Sequence, residues 1–123
     1  MSKTWNTHKW EMYIIPERII KNHPGMDVNK TRPVVVLSNS QKLNYKALIV
    51  ECTTKYHPGY IKLFAYFSKF HNCEKTSYIA IDKIHTIDTK YLQYKNKIGH
   101  IVKIPLETRK LLLDFISEII YSD

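Results

Sequence analysis

Arg32-Pro33-Val34-Val35-Val36-Leu37-Ser38 and Ala47-Leu48-Ile49-Val50-Glu51-Cys52-Thr53-Thr54 are two aliphatic, β-branched runs joined by the polar stretch Asn39-Ser40-Gln41-Lys42-Leu43-Asn44. Such runs favour extended backbone, and a polar connection of this kind joins the strands of a hairpin. Centring the turn between Lys42 and Leu43, with no bulge, sets Arg32 opposite Thr53. A guanidinium fork and a hydroxyl then meet at the open end of a buried hairpin. Together they suit a phosphate, because the fork can grip two oxygens and the hydroxyl adds a further hydrogen bond.

The rest of the chain bounds what such a site serves. Its 123 residues fit one domain with a real core, and 19 Lys+Arg against 11 Asp+Glu give a net charge of +8. That balance favours a polyanionic partner such as RNA, DNA or an acidic protein segment. No stretch approaches the roughly 20 apolar residues that span a bilayer, and the polar start with Trp5, His8 and Trp10 lacks a secretory apolar core, so a cytoplasmic protein with no membrane partner is expected. Cys52 and Cys73 form no paired framework and are expected as reduced thiols.

Working outward from the hairpin, residues 10–15 (Trp-Glu-Met-Tyr-Ile-Ile) read as a strand that Pro16 ends or places on an edge. Residues 17–31 are basic and turn-rich and read as a long mobile loop; long loops in compact domains are often functional. His57-Pro58-Gly59 marks a turn into a strand over residues 60–67, residues 68–75 read as loop, and residues 76–84 alternate as a half-buried strand should, with Asp82 on the face opposite Ile79 and Ile81. From Pro105 to Ile120, Leu112, Phe115, Ile116, Ile119 and Ile120 recur at helical spacing, with Pro105 near the first helical position and Glu107 in the first turn. The fold class expected is α+β: a small curled antiparallel sheet or SH3-like β-barrel with a C-terminal α-helix, as a single domain over residues 1–123.

Three ordered blocks resemble the MazF/PemK toxin family: Arg-Pro-Val-Val-Val-Leu-Ser at 32–38, Cys-Thr-Thr at 52–54, and Ile81-Asp82-Lys83-Ile84-His85-Thr86-Ile87-Asp88. Ile98-Gly99 followed by a closing helix is similar as well. The resemblance, over residues 32–120, implies an SH3-like barrel and a homodimer. It further implies a metal-independent endoribonuclease that acts on single-stranded RNA without a cofactor, and an acidic, partly disordered antitoxin protein that blocks the RNA groove. It places Arg32 and Thr53 at the family's catalytic arginine and threonine, and puts the aspartate that some members use in catalysis on Asp82. Lys83 stands where the family has Gln and His85 where it often has Arg, and the loop at residues 16–31 diverges from the family's glycine-rich opening.

Metal-free RNA cleavage proceeds by attack of the 2′-hydroxyl on the adjacent phosphorus, leaving a 2′,3′-cyclic phosphate and a 5′-hydroxyl. It requires a base for the 2′-proton, an acid for the leaving oxygen and fixed positive charge for the phosphorane. Arg32 suits the charge and Thr53 the orientation of the phosphate; Asp82 is a candidate base, and His23 a candidate acid or base because imidazole titrates near neutrality. Lys42, Thr54, Lys55, Tyr56, Lys83 and His85 are candidate RNA contacts, the lysines for phosphates and the aromatic ring for a splayed base. Each has a plainer explanation: a solvated cation at Arg32, a strand or turn threonine at Thr53, an ion pair at Asp82, a turn residue at His23. His57, His71, Cys52 and Cys73 complete no four-ligand spacing, so no metal is expected. Two other readings share the pattern: a non-catalytic nucleic-acid- or protein-binding module of the same fold, and a related toxin neutralised by an RNA antitoxin.

Overall fold

A computed structural model describes residues 9–21, 24–25, 29–38, 45–63, 77–92 and 103–121, with side chains in the last segment as far as Glu118. Five antiparallel strands and one helix make up its regular structure: β1 Met12–Pro16, β2 Thr31–Val36, β3 Lys46–Thr53, β4 Ile61–Leu63, β5 Ser77–Asp88 and α1 Leu106–Tyr121. Among the described residues the sheet runs β1-β2-β3-β5-β4 and is open, with β1 and β4 as its edges. The curled-sheet form of the expected α+β class is therefore the one observed.

The register of the central hairpin is the expected one, with Val34 opposite Glu51, Val35 opposite Val50 and Val36 opposite Ile49. Pro16 lies at the end of edge strand β1, opposite Thr31, where a residue without an N–H leaves no ladder bond unmade in the sheet interior. The period of two sends alternate residues of these strands to two separate cores. Met12, Val35, Val50, Cys52, Ile79, Ile81 and Leu112 pack on one side, with Phe115 and Ile116 of α1 against them. Tyr13, Ile15, Val34, Val36, Ala47, Ile49 and Ile87 pack on the other, covered by Ile19, Ile20 and Tyr91. α1 begins one residue after Pro105, whose carbonyl accepts the Arg109 backbone N–H at 3.0 Å.

Two expectations are corrected. Residues 17–31 do not begin as an open loop: Glu17–Ile19 form a 3-10 turn, Glu17 is buried, and Thr31 already belongs to β2. The alternation expected over residues 76–84 is broken, since Ile79, Ala80 and Ile81 are buried in succession. The cause lies in the pairing of β3 with β5, where Val50 faces Ile84 but Cys52 faces Ile79, so that residues 80–83 stand opposite Glu51 alone. A bulge of this kind bends its strand and re-aims the side chains it carries. Asp82 is accordingly exposed beside a buried Ile81. The strand expected over residues 60–67 is seen as β4, and its remainder lies outside the described residues, as do Ile98-Gly99, His71 and Cys73.

Candidate functional site

Arg32 leaves the N-terminal part of β2 on the same face as Val34, and Thr53 ends β3 on the same face as Glu51. Both line one cavity of about 410 Å³ together with Lys21, Lys30, Glu51, Thr54, Lys55, His57, Tyr60, Ser77 and Lys83. Among the described residues of that wall, five cationic side chains, Lys21, Lys30, Arg32, Lys55 and Lys83, outnumber one carboxylate, Glu51. The hairpin thus brings together the two residues expected to meet, in a basic hollow.

Arg32 is not a free cation. Its Nη2 donates to Glu17 Oε1 at 3.3 Å, and its Nε lies 3.5 Å from Glu51 Oε1 as an ion pair without hydrogen-bond geometry. Glu17 also pairs with Lys30 at 3.8 Å, and the second oxygen of Glu51 lies 2.6 Å from His85 Nε2. Both carboxylates are almost wholly buried, at 5% and 3% exposure. Buried charges must be paired, and here two strands and the 3-10 turn clamp one guanidinium from two sides. Among the described residues Nη1 makes no hydrogen bond, which leaves one edge of the fork for a ligand.

Thr53 shows the plainer role and keeps the other. Its Oγ1 accepts the Lys55 backbone N–H at 3.1 Å, closing a small turn. A hydroxyl that accepts one hydrogen bond still has its own O–H to donate. Ser77 also lines the cavity, fully buried, and its Oγ has no hydrogen-bond partner among the described residues.

The other expected site residues divide. Thr54, Lys55 and Lys83 line the cavity. Tyr56 is exposed beside it and stacks edge-on against Tyr78, with centroids 5.4 Å apart. His85 is tied to Glu51 rather than lining the wall. Asp82 lies outside this cavity, in a neighbouring depression, where it accepts the Tyr60 phenol O–H at 2.8 Å. Burial first, and then Asp82, raise the Tyr60 phenol above its ordinary range, so it stays a protonated donor. His23 and Lys42 lie outside the described residues.

Sequence reasoning missed Glu17 and Glu51. Glu51 carries a signal, being the only charge in the run 47–54 and lying between Val50 and Cys52, which a buried strand tolerates only with a cation alongside. Glu17 carries none. The Cys52 thiol, wholly buried and beside Glu51, is pushed well above the usual thiol range, first by burial and then by that carboxylate, which keeps it a neutral packing group. Among the described residues no three His, Cys, Asp or Glu side chains converge to hold a metal ion, and no helix is long and apolar enough to cross a membrane.

A family model described as PemK-like, MazF-like toxin of type II toxin-antitoxin system matches residues 14–114. No curated protein matches the chain by sequence. Among solved structures, a MazE-MazF complex from Deinococcus radiodurans (form II) superposes with a TM-score of 0.65 at 10% identity, covering 97% of this chain and 99% of that one. MazF alone from the same organism (form I) gives 0.63 at 11% identity, over 94% and 97% of the two chains. An endoribonuclease in complex with its cognate antitoxin from a mycobacterial species gives 0.58 at 13% identity, over 91% and 90%.

Proposed function

Because the chain belongs to the PemK-like, MazF-like toxin family of type II toxin-antitoxin systems, we propose that it is the toxin of such a pair and a metal-independent endoribonuclease for single-stranded RNA. The observation that carries this reading is the meeting of Arg32 and Thr53 in one cavity whose rim is basic. A phosphate there takes the open Nη1 edge of Arg32 and the Thr53 hydroxyl, while Lys21, Lys30, Lys55 and Lys83 hold the flanking phosphates. In the reaction the 2′-oxygen forms a bond to phosphorus as the bond from phosphorus to the 5′-oxygen breaks. The 2′-proton passes to a base and a proton is delivered to the leaving oxygen. Positive charge fixed by Glu17 and Glu51 acts on the phosphorane without reorganising during the step.

The partners follow from the same surface. An acidic antitoxin segment is the complement of this basic hollow, and one structural neighbour is an endoribonuclease in complex with its cognate antitoxin. Leu106 and Leu113, seven residues apart and so on one face of α1, remain 65% and 49% exposed, an apolar strip suited to a second copy of the chain. Sedimentation of the purified protein checks this: a monomer at micromolar concentration removes the homodimer.

The deciding experiment is cleavage of a mixed-sequence single-stranded RNA in EDTA, with Thr53→Ala purified identically. The wild type is expected to leave 5′-hydroxyl ends, and the variant to cut roughly 10²-fold more slowly, the scale for losing one donor to a developing oxyanion. RNA left intact by the folded wild type would overturn the ribonuclease reading and favour a binding module.

A further inference from the structure

Beside the Arg32 cavity lies a second depression of about 580 Å³, lined by His57, Pro58, Tyr60, Ile81, Asp82, Lys83 and Phe115. His57, Tyr60 and Lys83 belong to both, so the two hollows are continuous. Their chemistry differs. Where the first is cationic, the second sets aromatic side chains and an exposed carboxylate beside the shared Lys83. The His57 and Tyr60 rings stand 5.0 Å apart, and the phenol O–H fixes Asp82 Oδ1 at 2.8 Å. Asp82 Oδ2 has no hydrogen-bond partner among the described residues.

A carboxylate repels a phosphate, so this depression does not extend the backbone track. It fits what stands next to a phosphate in RNA: a base, which stacks on aromatic rings and offers N–H groups on its pairing edge. Each carboxylate oxygen has two acceptor sites, so the Tyr60 bond leaves room for two parallel N–H donors. Guanine alone among the four bases presents such a pair, N1–H beside the N2 amino group, in the fork-to-fork arrangement that makes bidentate contacts strong. Resting on the ribonuclease reading above, we propose that this depression is a guanine-recognition subsite, with Asp82 reading the pairing edge and His57 and Tyr60 stacking on the ring. Asp82 is then a specificity residue rather than the general base. The bulge at residues 80–83 is what turns its carboxylate outward.

The test is sequencing of the ends left when wild type and Asp82→Asn cut a random-sequence RNA in EDTA. The wild type is expected to show guanine enriched at one fixed position near the cut. An amide offers one acceptor and one donor, so Asp82→Asn is expected to lose that enrichment at least tenfold, the lower range for a bidentate base contact, and to gain adenine or cytosine there. Inosine at the position, which lacks the 2-amino group, should lower cleavage by the wild type and leave the variant unaffected. Three results overturn the proposal: an unchanged base profile in the variant, a uniform loss of cutting at every site as a general base would give, or indifference of the wild type to inosine. If the wild type cuts no RNA, the ribonuclease reading falls and this one with it, whereas a cutting wild type with an unchanged variant profile removes only the guanine subsite.

Discussion

Arg32→Lys is expected to stay folded and to lose RNA cleavage by roughly 10²-fold or more, on the scale of losing a fixed donor to the developing phosphorane. The charge survives the change, and Lys can still neutralise buried Glu17 and Glu51, which lie within 3.3 and 3.5 Å of the native guanidinium. What it cannot do is serve three directions at once from a rigid plane, two toward carboxylates and one toward a phosphate. Arg32→Ala confounds the two effects. It strands two carboxylates that are 5% and 3% exposed, and removing one partner of a buried pair costs about 3–5 kcal/mol. Thermal melting and cleavage in EDTA, measured on the Lys variant together, separate fold from chemistry. Wild-type cutting by a folded Arg32→Lys would show that the planar fork is not used.

The second large effect concerns stability. Glu51→Leu is expected to lower the free energy of unfolding by about 2–4 kcal/mol, below the top of the range for a broken buried pair because Arg32 keeps Glu17 and its side chain is 23% exposed. For a chain of this size each kcal/mol moves the melting temperature by roughly 3–6 °C. The His85 imidazole, 2.6 Å from the lost carboxylate, is then left partly buried without its partner. The double variant Glu51→Leu with His85→Leu should recover part of the loss, since replacing both members of a buried polar pair by apolar groups is often neutral or better. A single variant that melts within a degree of the wild type would mean that the carboxylate contributes nothing to the fold.

Of these two residues, Arg32 was legible in the sequence as a site residue and Glu51 was not. The hairpin register followed from two aliphatic runs and the polar turn centred between Lys42 and Leu43, because in a hairpin the length of the connection fixes which residues pair. Pro16 at an edge, the C-terminal helix and the convergence of Arg32 with Thr53 followed from equally local chemistry. The carboxylate clamp did not, because Glu17 reaches Arg32 from a 3-10 turn whose burial depends on packing against Ile19, Ile20 and the sheet. Nor did the bulge: Thr76 to Ile84 alternates on paper, and only the partner strand reveals that residues 80–83 have one counterpart, Glu51. Asp82 was consequently read as a possible base, though its carboxylate belongs to the neighbouring depression.

That same unpaired stretch lets β5 vary at exposed Asp82 and half-buried Lys83 with little risk to folding. Ile84 and Ile87 are aligned by their ladder with β3 on one side, and Ile79 by its two partner strands on the other, so neither register depends on the side chains of residues 82 and 83. Substitutions at Asp82 and Lys83 alter the rim of the second depression, whereas Ala80 and Ile81 are held in place by their burial. On the guanine-subsite proposal, relatives can change the base they prefer by drift at positions 82 and 83 of one strand, with Arg32 and Thr53 retained.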